Sequence, residues 1–269
     1  MDYKMLVLDL DGTLTNSKKE ITEPTRNALI ELQKNGKKVV LASGRPLNGI
    51  LPLAEELELA GHGGYILSFN GARITRCHDE EVIYNRILPP EVIPEVYEIA
   101  ASVPGLDVLA YEGEHILSGI SSNQYTEQEA FINKMSVVEV PDFVGHLQFP
   151  VNKLLITGEP SIVEKGMELL KKRFHTFLNI YRSEPFFLEI MPQNIDKAYS
   201  LQKLLNSLGM TADQMICCGD GYNDVSMIEY AGLGVAMENA QTVVKDTADF
   251  ITRSNDDDGI LYVIEKFMV

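Results

Sequence analysis

Short apolar runs that stop abruptly at small or polar residues punctuate the first part of the chain. Met5 to Leu8 runs into Asp9, Val39 to Ala42 into Ser43, and Tyr65 to Phe69 into Asn70-Gly71. Unbroken runs of this length predict strands buried on both faces. Between the first two, Ala28, Leu29 and Leu32 recur at helical spacing, after a start at Thr22-Glu23-Pro24 and before a stop at Asn35-Gly36. A second helix is expected up to about Leu59. Strand, helix, strand, helix, strand with short connections predicts an α/β fold whose core is a doubly wound, Rossmann-like parallel sheet.

The rhythm then changes. Ala72 to Arg76 and Glu81 to Ile87 predict an antiparallel pair, followed by a helix from about Glu91 to Ser102. Strands are expected near Asp107 to Tyr111, His115 to Ser118, Asn152 to Thr157, Thr176 to Arg182 and Phe186 to Met191. Helices are expected near Thr126 to Lys134 and Pro160 to Phe174. Such mixed local connections predict an inserted α+β module. From about Asp196 the first rhythm returns: a helix to Leu208, the strand Met215 to Cys218, a helix to Ala231, the strand Gly234 to Met237, a helix near Ala240 to Lys245, a short strand near Asp249 to Ile251 and a closing helix from Gly259. The expected division is a core of residues 1–82 and 190–269 and an inserted cap of residues 83–189.

Composition changes this picture little. With 269 residues, 45% hydrophobic and 23% charged, the chain can bury a sizeable core. Its net charge of −16 argues against nucleic acid and anionic membrane surfaces as partners. Three cysteines form no disulfide framework, and adjacent Cys217 and Cys218 sit in an apolar run. No apolar stretch approaches a membrane span and nothing at the N-terminus resembles a signal peptide, so a cytoplasmic protein is expected.

Candidate chemistry gathers where the predicted strands end. Side chains two apart leave a strand on the same side, so Asp9 and Asp11 point together beyond its carboxyl end, where open α/β sheets bind ligands. Their mutual repulsion invites a cation such as Mg2+. Gly12 permits a sharp turn close to a ligand, and Thr13 adds a hydroxyl. Taken singly, each feature has a plain structural alternative: an Asp-Gly turn, a small residue at Ser43, a solvated Lys197, an Asp224 complementing a helix dipole. Arg45 either pairs with an acidic neighbour or touches substrate. His115, His146 and His175 lack metal-ligand spacing.

The order Asp9-x-Asp11-Gly12-Thr13, Ser43-Gly44-Arg45, Lys197 opening a late helix, and Gly219-Asp220-x-x-Asn223-Asp224 resembles the motif set of the haloacid-dehalogenase-like (HAD) phosphohydrolases. The chain is similar along its whole length to the Cof-type branch, whose cap lies between the second and third motifs. Ser43 and Lys197 are separated by far more than the roughly 30 residues of one βαβ unit, leaving room for such a cap.

This resemblance implies a Mg2+-dependent phosphomonoesterase acting through an aspartyl-phosphate. Asp9 would be the nucleophile, and Asp11 the general acid and then the base. The metal would be held by Asp9, the Asp11 carbonyl and Asp220, with Asp224 nearby. Phosphate would meet Ser43 and Lys197, with Leu10, Gly12, Thr13, Gly44, Arg45, Asn70, Gly71 and Asn223 around it; Asn223 would orient Asp220, Lys197 or phosphate. Around Lys197 this chain departs from the branch, reading Asn194-Ile195-Asp196-Lys197-Ala198 where small residues are usual. Asn194 can take a glycine-like conformation and Asp196 can cap the helix.

The implied partner is a small phosphorylated metabolite, sugar phosphates favoured, with the protein a monomer or weak homodimer. Tyr111, Glu112-Gly113-Glu114, Arg182 and Glu184 are candidates for substrate contact from the cap. Two alternatives are a phosphosugar mutase and a phosphoacceptor or sensor module that is modified at Asp9 without turnover.

Overall fold

The computed structural model describes residues 2–268. In chain order the strands are β1 (Met5–Leu8), β2 (Lys38–Ala42), β3 (Tyr65–Ser68), β4 (Arg73–Arg76), β5 (Val82–Asn85), β6 (Asp107–Glu112), β7 (His115–Ser118), β8 (Ser136–Glu139), β9 (Leu154–Thr157), β10 (Leu178–Glu184), β11 (Phe187–Pro192), β12 (Met215–Gly219), β13 (Leu233–Ala236) and β14 (Phe250–Ile251). The chain divides into two compact units, Met1–Asn85 with Asp196–Val269, and Arg86–Ile195.

The first unit is a sheet in the order β14-β13-β12-β1-β2-β3-β4-β5. Its strands from β14 to β3 are parallel, and the β4–β5 hairpin adds an antiparallel edge. Putting β1 at the centre, between β2 and β12, aligns the ends of three strands that are far apart in sequence. Met5, Leu6, Val7 and Leu8 have no exposed surface, as a strand covered by helices on both faces requires. The helix Glu23–Lys34 starts at Thr22, whose hydroxyl accepts the Thr25 N–H. The expected second helix is interrupted: Leu47–Glu56 ends, and Glu58 at φ 55° leads into the short Leu59–His62. The third strand stops at Ser68, because Phe69 and Asn70 both take left-handed backbone conformations.

The second unit is a sheet in the order β10-β11-β9-β6-β7-β8, mixed in direction, with β7 and β8 parallel. One face is apolar: Val108, Ala110, Leu154, Ile156, Leu188 and Ile190 pack with Val96 and Ala100 of the helix Ile93–Ala101 and Val163 and Leu170 of the helix Pro160–Phe174. On the other face Leu109, Leu155 and Phe187 pack with Ala130 of the helix Gln124–Asn133. β8 and the short helix Phe143–His146 were not predicted. β8 is a half-exposed edge whose residues carry little of the apolar signal that marks a buried strand.

Candidate active site

The site begins where β1 runs out of apolar residues. The Leu10 carbonyl accepts the N–H groups of Thr13 (3.3 Å) and Thr15 (2.9 Å) and the Thr15 hydroxyl, which closes a tight turn beneath Asp9 and Asp11. The Leu10 side chain itself is buried in the core. Gly12, at φ 86°, is required by contact: a Cβ there would stand 2.5 Å from Asp220 Oδ2. Thr13 Oγ1 donates to Asp220 Oδ1 at 2.9 Å, tying the end of β1 to the end of β12. Asn239 Nδ2 braces the turn from outside through the Gly12 carbonyl at 2.7 Å.

Lys197 is the first residue of the helix Lys197–Leu208, which Asp196 caps by accepting the Tyr199 N–H at 2.8 Å. Asn194 stands at φ 58°, the conformation in which asparagine substitutes for glycine. Lys197 is completely buried, and its ammonium donates to Asp9 Oδ1 (2.6 Å), Asp224 Oδ1 (2.6 Å) and the Ala42 carbonyl (2.8 Å). All three of its hydrogens are engaged. Asp224 is equally saturated, because its Oδ2 accepts the N–H groups of Asp220 (3.0 Å) and Gly221 (2.9 Å). Asp9 Oδ2 accepts no hydrogen bond from the described residues.

The charges do not balance. Carboxylate oxygens of Asp9, Asp220 and Asp224 lie within 4.8 Å of one another around a single lysine. Burial, reinforced by the charges of Asp224 and Asp220, pushes the Asp9 carboxyl well up despite Lys197. Burial likewise pushes Asp220 up to about 6, with Asp224 adding to the rise and the Thr13 hydroxyl opposing it. For Lys197 burial alone would favour loss of the proton, but Asp224 and Asp9 outweigh it and keep the ammonium charged. A hard divalent cation fits this cluster chemically: the donors are all carboxylate oxygens, and the local excess is of two negative charges.

Asp11 has a different environment. Arg45 grips it in bidentate fashion, Nε to Oδ2 at 2.8 Å and Nη2 to Oδ1 at 2.6 Å, and Lys19 Nζ reaches Oδ1 at 2.7 Å. Burial would raise this carboxyl, yet the bonds and charges of Arg45 and Lys19 hold it below the usual carboxylate range. Of the two readings open for Arg45, the structure therefore shows the acidic pairing. Lys19 escaped the sequence reading, because only its left-handed backbone in the turn after Asn16 carries it back to Asp11.

On the other side of β1, the Ser43 hydroxyl accepts the Arg45 N–H at 3.2 Å at the end of β2. Gly44 adjoins Asn70, whose side chain a Cβ on Gly44 would meet at 3.2 Å. Gly71, at φ 92°, faces Ser200, whose hydroxyl donates to the Gly71 carbonyl at 2.6 Å. Asn223 Nδ2 donates to Asn70 Oδ1 at 3.1 Å, an alternative to the partners expected from the sequence. Ser200 and Asn239 were also not anticipated, since a lone serine or asparagine carries no positional signal. Cys217 and Cys218 are free and buried, and burial pushes both thiols up, which removes them as nucleophiles.

In the second unit, Tyr111 bonds to Glu129, Glu112 pairs with His146, and Arg182 and Glu184 are exposed. No helix among the described residues is long and apolar enough to cross a membrane.

A family model for haloacid dehalogenase-like hydrolases matches residues 6–264. A solved haloacid dehalogenase-like hydrolase from Bacteroides thetaiotaomicron is 49% identical, covering 99% of this chain and 100% of its own, with a TM-score of 0.96. BT1666, a phosphatase from the same organism, is 26% identical over 98% of this chain and 95% of its own, with a TM-score of 0.82. The Bacillus subtilis 5-amino-6-(5-phospho-D-ribitylamino)uracil phosphatase YcsE is 29% identical over 100% of this chain and 97% of its own.

Proposed function

The chain belongs to the haloacid dehalogenase-like hydrolase family and is a phosphatase of phosphorylated substrates, and from that premise we propose that it hydrolyses small phosphate monoesters through an aspartyl-phosphate on Asp9. The observation that carries this reading is the pairing of two carboxylates, two residues apart, in opposite environments. Asp9 has one oxygen fixed by Lys197 and the other without a hydrogen bond, whereas Asp11 is oriented by Arg45 and Lys19.

In the first step Asp9 Oδ2 attacks phosphorus. The bond to the ester oxygen breaks with its electron pair on the leaving group, which takes its proton from Asp11; because Arg45 and Lys19 hold Asp11 ionised without substrate, Asp11 must first come off them and take up a proton from solvent as substrate binds. In the second step water attacks the phosphorus of the aspartyl-phosphate, Asp11 takes the water proton, and the bond to Asp9 breaks. Lys197 keeps Asp9 in place and offsets its charge, while Ser43, Gly44 and the Asn70-Gly71 turn surround the phosphoryl group.

Mg2+ is the cation of this reading. Asp9 and Asp220 would be its carboxylate ligands, oriented by Thr13 and by Asp224, and when bound it supplies the positive charge that lets a carboxylate approach a phosphate dianion. The second unit, taken as a cap, sets substrate choice, and sugar or polyol phosphates are the favoured class; the ribityl phosphate of the YcsE substrate is of that kind.

The test is phosphate release from a panel of phosphorylated metabolites with and without Mg2+. Selective turnover that Mg2+ supports, with a phosphorylated Asp9 trapped on rapid acid quench, is the expected result. A chain that takes up phosphate on Asp9 from a small donor but releases none would be a phosphoacceptor instead.

A further inference from the structure

We propose that Asn239 and Asn255 are positioning residues for Asp11, clasping the turn that carries it so that its side chain can change partners while its main chain stays still; this rests on the hydrolase reading above. Both come from the far end of the sequence, Asn239 just beyond β13 and Asn255 in the turn before the helix Gly259–Phe267. Asn239 Nδ2 donates to the Gly12 carbonyl at 2.7 Å, and Asn255 Nδ2 donates to the Thr15 carbonyl at 2.9 Å. The two are joined, because Asn239 Oδ1 accepts the Asn255 N–H at 3.0 Å. The Asn239 amide is thereby engaged through both its nitrogen and its oxygen, which fixes its orientation.

The two catalytic aspartates differ in what holds their main chain. Asp9 still belongs to the sheet, since its N–H donates to the Cys218 carbonyl at 3.1 Å. Asp11 lies three residues past Leu8, the end of β1, on a turn whose inner bonds run only back to the Asp9 and Leu10 carbonyls. Those bonds close the turn on itself. The asparagines tie it to the rest of the unit, together with the Thr13 hydroxyl on Asp220 and the Ser17 N–H on Asp256 Oδ1 at 2.8 Å. Ser17 stands in the Asn16–Glu20 turn that returns Lys19 to Asp11. The same C-terminal segment therefore holds the backbone on both sides of the acid's contacts.

Stability alone gives little reason for this clasp. Asn239 is exposed and Asn255 half-buried, so water can replace either bond at small cost. Position is another matter. Asp11 has to release Arg45 and Lys19 before it serves the leaving oxygen, and during that exchange only main-chain contacts hold it. Gly12, next to it at φ 86°, has no side chain to pack and the widest backbone freedom, so its carbonyl is the available handle. A displacement of about 1 Å at a reacting group can cost on the order of a hundredfold in rate. Two bonds of minor weight for folding thus decide where the acid stands.

The experiment measures kcat/KM with Mg2+ for wild type, Asn239→Ala, Asn255→Ala and Asp11→Asn on nitrophenyl phosphate, phenyl phosphate and the best alkyl monophosphate of the metabolite panel. This parameter covers the steps up to the aspartyl-phosphate, and the need for a proton grows along the series because nitrophenolate leaves readily without one. Asp11→Asn supplies the pattern of a lost acid. Both alanine variants should follow that pattern more weakly, within about twofold on nitrophenyl phosphate and down about tenfold or more on the least activated ester that the wild type turns over. Their urea midpoints should move by less than about 0.5 M. Asn255→Ala keeps the main-chain bond to Asn239, so it decides the matter should Asn239→Ala fold poorly. Equal losses on all esters, or no loss in either variant, would overturn the inference. A wild type inert towards every ester would overturn the hydrolase reading itself.

Discussion

Two lysines of this chain are buried among carboxylates, and they are arranged differently. Lys197, in the first unit, opens a helix and spends every hydrogen on Asp9, Asp224 and the Ala42 carbonyl. Lys153, in the second, stands at the start of a strand against Glu189, with the Tyr111–Glu129 pair beside it. Around Lys197 three acids share one ammonium, and their backbone and side-chain partners fix each of them; what is missing is positive charge. Around Lys153 two acids share one ammonium and a buried oxygen stays unbonded; what is missing is a donor. The first deficit is one that the cation of the proposed function would fill, whereas the second leaves an internal ion pair one hydrogen bond short.

The largest effect belongs to the first site. On the proposed function, Asp9→Asn keeps the shape but removes the attacking carboxylate, and kcat/KM should fall by about a thousandfold or more on every substrate, nitrophenyl phosphate included. Indifference to the substrate is the mark of a loss in the chemical step itself. A variant that lost activity on sugar phosphates alone would break the contrast.

The lysines themselves come next. Lys197→Met leaves Asp9 and Asp224 buried against each other and should destabilise the chain by about 3–5 kcal/mol in urea unfolding. Lys153→Met strands Glu189 and should cost a comparable or slightly smaller amount, because Lys153 makes an ion pair with Glu189 alone and meets Glu129 only at longer range, whereas Lys197 is paired with both Asp9 and Asp224. Mg2+ sharpens the comparison. It should restore part of the stability of Lys197→Met, where it can replace the missing charge among carboxylates, and none of that of Lys153→Met. Equal recovery in both variants would mean that the acidic cluster of the first unit is no more a cation site than the second.

The two sites were unequally legible in the sequence, and the reason is physical. Asp9, Ser43, Lys197 and Asp220 each sit where an apolar run or a helix begins or ends, so a local pattern marks them and the parallel sheet does the rest. Lys153 and Glu189 lie beside or inside strands, two residues from Leu155 and Phe187 and so on the same face as these buried side chains, yet a lone charge in a strand reads as solvated whatever its register. Only the neighbouring strands and the helix Gln124–Asn133 make those positions buried. Lys19 was hidden for a related reason, since its contact with Asp11 depends on one left-handed residue in a turn. The fold was legible wherever burial is continuous along the chain. It was not legible at β8, where the edge is half exposed.

Proton linkage separates the sites further. Asp220 ionises at about 6 in the folded chain against an ordinary value of 3.8. The folded state therefore holds more protons than the unfolded one between those values, and stability is lost as pH rises through that window. Without metal the chain should gain roughly 1 kcal/mol on going from pH 7 to pH 5 through this residue, with Asp9 acting in the same direction. Asp11 opposes the trend only at lower pH, since its carboxyl is held below the ordinary range. Saturating Mg2+ should flatten the profile by favouring the ionised carboxylates. Thermal melts across pH in chelator and in Mg2+ provide the check, and two superimposable profiles would count against metal binding at Asp220.

The smallest effect is expected at Glu129, and it tests the second site from the opposite side. Burial pushes this carboxyl up, with Glu189 adding to the rise while Lys153 and Tyr111 oppose it. A raised folded value means that stability falls as pH rises from the unfolded value through the folded one. Gln removes that liability yet still offers an oxygen to the Tyr111 hydroxyl, so Glu129→Gln should change unfolding free energy by less than about 1 kcal/mol near pH 5. At pH 8 the variant should gain on the wild type, because only the wild type then carries two buried carboxylates on one ammonium. Urea unfolding at the two pH values measures the difference. A variant that loses ground at the higher pH would show that the Glu129 charge stabilises the face through Lys153.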